Sequence, residues 1–429
     1  MSNEVVRVGL LGYGNVGGAL VELLEGRRDV IQARAGLRLE VVRVAVRHPS
    51  LPRGDALPSD RLTDDPLSIV NDPDVDVVVE VMGGIEPARG LITAALTNGK
   101  PVVTANKELL ANHGSELFAA ADAAGRDLLF EAAVAGGIPL IRPLRESLAG
   151  EAIRRVMGIV NGTTNYILTK MSEEGATYAA ALTEAQELGY AERDPTADVE
   201  GFDAGAKAAI IASIAFGVRV TAGDVYHEGI SKVTVEDIAV AHRLGYVVKL
   251  LAIAERDEVT DEVGVRVHPA MVPEAHPLAT VRHSYNAVFV EGAAVGSLMF
   301  YGRGAGGLPT ASAVLGDLID AAVNLGKQSH APLGSFAEPK FRPIDETRSE
   351  YYLPLDVVDR PGVLHAVTGV FAQHDVSIRT AEQHGLGPEA RLVFITHDAR
   401  EADVQATLRD LRQLEVVRRV GGVLRVVGA

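Results

Sequence analysis

The chain has 429 residues, with 57 acidic against 41 basic side chains, a net charge of −16 and no cysteine. A length of this order exceeds one core and calls for two or three domains. Without cysteine there are no disulfides, thiolate metal sites or cysteine nucleophiles; the acidic balance argues against a general nucleic-acid binder; and no long apolar run or basic–apolar leader marks a membrane or export, so the cytoplasm is the expected location.

Val5-Val6-Arg7-Val8 reads as a strand, and Gly18 to Leu24 as a helix. Between them lies Gly12-Tyr13-Gly14-Asn15-Val16-Gly17, with the spacing G-x-G-x-x-G. Gly12 allows a tight turn, Gly14 leaves room for phosphate oxygens, and Gly17 lets helix and strand pack closely. The helix N-terminus offers free N–H groups and partial positive charge. Strand, glycine turn and helix in that order predict a dinucleotide site on a Rossmann sheet. The bland alternative is a β-to-α turn without a ligand.

Leu39 to Val46 is a second strand, followed by Arg47. An NAD site usually carries a carboxylate there, whereas an arginine suits the 2′-phosphate of NADP. NADP is therefore expected, with NAD as the alternative; a solvated surface arginine is the bland one. Val75 to Val81 is a near-continuous apolar strand of the parallel-sheet kind. A helix over 88–98 leads to strand Val102-Val103-Thr104, whose carboxyl end carries Thr104-Ala105-Asn106-Lys107. Ligands of open α/β sheets bind at such ends, so Thr104 and Lys107 are candidates for the cofactor or substrate. A helix over 108–124 and a strand over 127–131 complete a doubly wound sheet. From Glu131 to Pro139 the chain leaves through a glycine turn, where a carboxylate and free carbonyls suit a cation.

Ile153 to Val160 reads as a strand entering Asn161-Gly162-Thr163-Thr164-Asn165-Tyr166, with a helix beyond it. Its amides and hydroxyls suit polar ligand groups or a helix N-cap. The run from Gly189 to Lys207 gathers Glu192, Asp194, Asp198, Glu200 and Asp203 before a small apolar helix. Asp203 and Lys207 are four apart and share a helical face. A lysine within an apolar element needs a counter-charge or a lowered pKa, which makes it a candidate acid or base. An acidic cap with one snorkelling lysine, or a Mg²⁺ or Ca²⁺ site, are the alternatives. Two antiparallel strands, 284–290 and 295–301, then lead into a second glycine loop, Gly302 to Thr310, that opens another helix.

With these motifs in place, the chain resembles homoserine dehydrogenase. The resemblance rests on the first glycine loop, Thr-Ala-Asn-Lys107, Asn-Gly-Thr-Thr-Asn-Tyr166, the loop from Gly189 to Lys207, and Gly-Arg-Gly-Ala-Gly-Gly-Leu-Pro-Thr310, spanning residues 5 to 325. It implies reversible NAD(P)-dependent interconversion of L-homoserine and L-aspartate 4-semialdehyde, within threonine, methionine and isoleucine biosynthesis. Lys207 falls on the proton-donating lysine and Lys107 on a second lysine that stabilises the developing alkoxide. Glu192 matches the residue holding the substrate amino group, and Asp198 and Asp203 match carboxylates that bind substrate and orient the lysines. Glu131 with the carbonyls of Val134, Gly136 and Ile138 would hold a monovalent cation such as Na⁺. Gly302 would lie beside the nicotinamide. Arg193 departs from the smaller or acidic residue expected there and bears on its neighbour Glu192.

Residues 336–350 are polar and proline-containing, a linker pattern. Beyond them the order strand, helix, strand, strand, helix, strand follows a ferredoxin-like sandwich, and Asp359-Arg-Pro-Gly-Val-Leu364 resembles the first turn of an ACT domain. Such domains pair and bind amino acids; L-threonine is the expected inhibitor, and a pairing module without a ligand is the alternative. The expected fold is α/β throughout. A Rossmann domain at 1–135 regains the chain at about 302–325, an α+β substrate and dimerisation domain covers 136–335, and the ACT domain covers 351–429, separable at the linker. The partners are the small-molecule substrate and further copies of the chain in a homodimer or homotetramer, with no nucleic acid or membrane. Aspartate-semialdehyde dehydrogenase is excluded because it needs a cysteine. A hydroxy-acid dehydrogenase is disfavoured because the histidines lie outside the motifs. The rival of another class is a non-catalytic nucleotide and amino-acid sensor, which turnover would rule out.

Overall fold

The computed structural model describes residues 4–51, 58–385 and 389–428. The chain forms two compact units, one of Met1–Val156, Ala206–Val225 and Asn286–Pro339, the other of Met157–Gly205, Tyr226–Tyr285 and Lys340–Ala429.

The first unit opens with β1 (Glu4–Leu11), α1 (Asn15–Gly26), α2 (Arg28–Ala35), β2 (Leu37–Ala45), β3 (Leu62–Thr63) and α3 (Pro66–Asn71). It continues with β4 (Val77–Glu80), α4 (Ala88–Thr97), β5 (Val102–Thr104), α5 (Lys107–Ala124) and β6 (Leu128–Leu129). The six strands form one parallel sheet in the order β3-β2-β1-β4-β5-β6. Every residue of β4 is buried, as expected of a strand covered by helices on both faces. Winding reverses between β1 and β4, so a crevice opens outside their carboxyl ends, where the glycine turn follows β1.

The chain then runs through β7 (Ile153–Ile159), α6 (Gly162–Glu174), α7 (Tyr178–Glu187), α8 (Thr196–Val199) and α9 (Phe202–Phe216). Next come β8 (Tyr226–His227), α10 (Val235–Arg243), β9 (Tyr246–Arg256), β10 (Glu262–Pro273), the neighbouring strands β11 (Tyr285–Gly292) and β12 (Gly296–Arg303), and α11 (Gly307–Gly326). The return helix α11 joins the first unit's core. Its Ala311, Val314, Leu318 and Ala321, at helical spacing, are fully buried in one cluster with Val8, Leu10 and Leu20. The antiparallel pair β9–β10 has no counterpart in the sequence reading. From Val263 to Val272 every residue of β10 is buried, so the period-2 alternation that betrays a half-exposed strand is absent.

The tail comprises β13 (Lys340–Phe341), β14 (Arg348–Val358), α12 (Val363–Gln373), β15 (Ile378–Gly385), β16 (Glu389–Thr396), β17 (Ala399–Arg400), α13 (Glu401–Leu411), β18 (Val417–Val420) and β19 (Leu424–Val426). This is the expected split βαβ plan, with β14 between β16 and the last two strands. The final strand, read as one run, is broken at Gly421, where a Cβ would lie 2.8 Å from the Pro354 side chain. Beyond the break β19 lies between β14 and β10, antiparallel to β14 and parallel to β10 through Ala270–Arg425 and Met271–Val426. The span read as a linker is also tied down: Lys340 and Phe341 pair with Glu262 and Val263, and Arg342 meets Asp257 at 2.9 Å. The tail thus packs within the second unit, with β13 and β19 both paired to β10.

Candidate active site

The turn after β1 is built for close approach. Gly12 has φ +105° and donates its N–H to Ala45 O at 3.0 Å. A Cβ on Gly17 would lie 2.3 Å from Gly12 O, whereas a Cβ on Gly14 would meet nothing within 4 Å. Gly17 thus seats α1 against β1, and Gly14 leaves the outer side of the turn open above the first N–H groups of α1. Tyr13 and Val16 pack on the core of the sheet. Arg47 is exposed two residues beyond Ala45, at the end of β2.

A cavity of about 290 Å³ lies at the carboxyl ends of the strands. Its wall takes Val16 from α1, Met82 and Gly83 after β4, Asn106 and Lys107 after β5, Ala133 and Gly136 after β6, Lys207 from α9, and Gly304, Ala305 and Thr310 from the second glycine loop. Lys107 and Lys207, expected on sequence grounds to act together, line this one cavity. Gly302 does not line it; Gly304 and Ala305 do, two and three residues further along. Both loops are tightly seated. A Cβ on Gly136 would lie 2.2 Å from Gly304 O, and one on Gly304 would overlap Asn286 at 2.0 Å.

Glu80, fully buried at the end of β4, shapes the wall. It accepts from Met82 N at 2.8 Å, Gly83 N at 3.1 Å and Thr104 Oγ1 at 2.6 Å. The Thr104 hydroxyl is thus committed to Glu80 and, as an acceptor, to Asn106 N at 3.0 Å. Asn106 caps α5 through Leu109 N at 3.1 Å and donates to Gly84 O at 2.6 Å, which fixes where Lys107, the first residue of α5, begins. The sequence reading passed over Glu80. Its one signal is a carboxylate closing an all-valine strand.

Glu131 accepts from Leu140 N at 2.5 Å, Ile141 N at 2.7 Å and Arg142 N at 2.9 Å, and its own N–H donates to Asp317 at 2.7 Å. Burial pushes the Asp317 carboxyl up to about 7. The backbone bonds of this turn run from Val134 N to Glu131 O, Gly137 N to Arg303 O and Ile138 N to Ala135 O. They leave the carbonyls of Val134, Gly136 and Ile138 outside the pattern, and Glu131 Oε2 carries a single backbone donor. Such an oxygen set fits a monovalent cation. Among the described residues there is no group of three or more His, Asp or Glu placed to hold a metal ion.

In the second unit, Asp198 on α8 and Asp203 at the start of α9 are brought together. Both accept from Asn161 Nδ2, at 2.7 and 2.9 Å. Glu192 is exposed, its carbonyl held by Gln186 Nε2 at 3.0 Å. Thr163 Oγ1 donates to Tyr190 O at 2.7 Å, and the Tyr166 and Tyr190 rings meet at 5.0 Å. Lys249, which the sequence reading missed inside Val247-Val248-Lys249-Leu250-Leu251, donates to Asn165 Oδ1 at 3.1 Å and to Val281 O. Burial lowers its pKa to about 8.

Hydride transfer at a carbonyl needs a dinucleotide seated on a Rossmann sheet and a cationic group over the reacting oxygen. The first unit has such a sheet, with Lys107 and Lys207 lining the cavity at its strand ends, which sets it in the class of NAD(P)-dependent dehydrogenases. Family models agree in detail: homoserine dehydrogenase matches residues 139–319, the homoserine dehydrogenase NAD binding domain 12–131, and the ACT domain 351–416. The homoserine dehydrogenase of Mycobacterium tuberculosis is 52% identical over 99% of this chain and 98% of its own length. That of Corynebacterium glutamicum is 50% identical over 99% and 96%. A crystal structure of a homoserine dehydrogenase from Thiobacillus denitrificans superposes with TM-score 0.93 at 43% identity, covering 99% of this chain and 98% of that one. A hyperthermophilic archaeal homoserine dehydrogenase in complex with NADPH superposes with TM-score 0.64 at 30% identity, covering 75% of this chain and 98% of that one. The chain belongs to the homoserine dehydrogenase family, as an oxidoreductase with an ACT domain. Among the described residues no helix is long and apolar enough to cross a membrane.

Proposed function

We propose that this chain reduces L-aspartate 4-semialdehyde to L-homoserine with NADPH, and runs the reverse reaction with NADP. The observation that carries the reading is the shared cavity of Lys107 and Lys207 at the strand ends beside α1. A bound nicotinamide supplies the hydride there. Lys207 gives the proton to the aldehyde oxygen, and Lys107 offsets the negative charge that grows on it. Glu192 holds the substrate amino group, and Asp198 and Asp203 bind the substrate and orient it. The turn at Gly12–Gly17 cradles the pyrophosphate, and Arg47 pairs with the 2′-phosphate. A monovalent cation on Glu131 and the carbonyls of Val134, Gly136 and Ile138 braces the cavity's far wall.

The ACT domain binds L-threonine and inhibits. Paired ACT domains and the strands β11 and β12 make the assembly a dimer or tetramer in the cytoplasm. Initial rates with homoserine and each cofactor, with and without threonine and with Na⁺ exchanged for a bulky organic cation, test these parts one by one. No NADP reduction with homoserine would overturn the reading; equal rates with NAD would overturn the role of Arg47.

A further inference from the structure

We infer that Asn161 is the positioning residue that sets the two substrate carboxylates, Asp198 and Asp203, at a fixed separation. The inference rests on the proposed roles of those two carboxylates.

Asn161 is the N-cap of α6 and is 4% exposed. Its Oδ1 accepts from Thr164 N and Thr164 Oγ1, both at 2.9 Å. That fixes which end of the amide is oxygen and turns Nδ2 the other way. The two Nδ2 hydrogens go to Asp198 Oδ1 at 2.7 Å and Asp203 Oδ2 at 2.9 Å. Two donors and two lone pairs are the full capacity of the side chain, and all four are used.

Two carboxylates bonded to one nitrogen have their oxygens within roughly 6 Å of each other. At that range they repel. The amide offsets the repulsion and holds the pair at a set spacing. As a cap alone, the position would accept Asp or Ser as readily as Asn. Neither can bridge two carboxylates: Asp has no donor when ionised, and Ser has one hydrogen on a shorter arm. The choice of asparagine is therefore made by the carboxylates and not by the helix.

The far end of the same motif is held as firmly. Asn165 Nδ2 donates to His283 O at 2.9 Å and to Tyr285 O at 3.2 Å, and its Oδ1 accepts from Lys249. The first turn of α6 is thus anchored at both ends, and rotation of Asn161 cannot relieve a mismatch.

Full-length Asn161→Ser and Asn161→Asp, measured beside Asp198→Asn and Asp203→Asn, test the inference. Misplacing a substrate-holding group by about 1 Å costs up to 100-fold. Asn161→Ser is expected to lower kcat/KM for homoserine by about 10- to 100-fold. Asn161→Asp should lower it further and, by burying a third carboxylate beside the other two, should lower the thermal midpoint as well; in Asn161→Ser the midpoint and the Kd for NADPH stay near wild type. If both variants keep wild-type kcat/KM while Asp198→Asn or Asp203→Asn lowers it, Asn161 is only a cap and the inference fails. If neither aspartate variant changes kcat/KM, the reading of the carboxylates fails instead. A lowered midpoint with loss of NADPH binding in Asn161→Ser would also overturn the inference, because it marks a general structural role.

Discussion

Alanine at Gly14 and alanine at Gly17 add the same methyl group to the same turn at very different cost. At Gly17 the new Cβ would stand 2.3 Å from Gly12 O, where real Cβ atoms keep at least 3.0 Å. Both sides of that contact are backbone, so no rotamer can absorb it; α1 must lift from β1 or the turn must open. Overpacking of this kind costs about 1–3 kcal/mol, which lowers the unliganded melting temperature by roughly 2–10 °C. At Gly14 the backbone has φ −88° and ψ −153°, which alanine adopts, and the Cβ meets nothing within 4 Å. The loss of a glycine N-cap costs less than about 1 kcal/mol. The methyl instead occupies the open side of the turn, where the pyrophosphate is proposed to lie. Gly14→Ala should therefore weaken NADPH binding by about tenfold or more, the 1.4 kcal/mol of one displaced contact, while the unliganded protein melts near wild type. Gly17→Ala should lower both. Thermal melts with and without NADPH, with Kd from quenching of bound-nucleotide fluorescence, separate the two. Equal melting temperatures for both unliganded variants, or wild-type NADPH affinity in Gly14→Ala, would refute the reasoning.

Lys207→Ala should lower kcat by about 10²- to 10⁴-fold, the usual worth of a positioned acid, while the Kd for NADPH stays within about threefold; single-turnover rates check it. Arg47→Ala should weaken NADP by about 10- to 100-fold and NAD hardly at all, as loss of a charge-assisted bond requires; equal effects would place the arginine outside the site. Lys249 is held neutral more readily in the fold than in the unfolded chain, its pKa lowered from 10.5 to about 8. Unfolding then takes up a proton between those two pH values, so stability rises with pH across that window, by at most about 3 kcal/mol. Lys249→Met should remove that rise, seen as parallel denaturation curves at pH 8 and pH 10. Arg425, 5% exposed, meets Glu401 at 2.9 Å and Glu228 at 2.8 Å, and Tyr351 OH donates to Glu401 at 2.8 Å. Arg425→Met leaves Glu401 buried without its cation and should cost about 3–5 kcal/mol, with the Arg425→Met/Glu401→Gln pair costing less than the sum.

Local spacing was enough to determine the first strand–turn–helix unit of the Rossmann sheet, the glycine turn, the valine-rich β4, and the split βαβ plan of the tail. Each of these is written in short-range terms: a period of 2 or 3.6, a turn that only glycine allows, a cap. The list of chemistry-bearing side chains, with Lys107 and Lys207 at its head, was also legible, through motif order. Only the tertiary structure decided that those lysines, 100 residues apart in sequence, line one cavity.

It also decided that Gly304, not Gly302, reaches the wall. The pressing neighbour there is Asn286, and no local pattern records a residue that distant. The bond of Glu80 to Thr104 and the bonds of Asn161 to Asp198 and Asp203 were invisible for the same reason: those partners lie 24 and 37 to 42 residues away. The strands β9 and β10 escaped because full burial erases alternation. The tail's attachment escaped because parallel pairing of β19 with β10 needs only two residue pairs at the end of a strand. A sequence states which groups are available and what local shape they take; the distances at which charges repel, share a donor or lose water exist only once the chain has closed on itself.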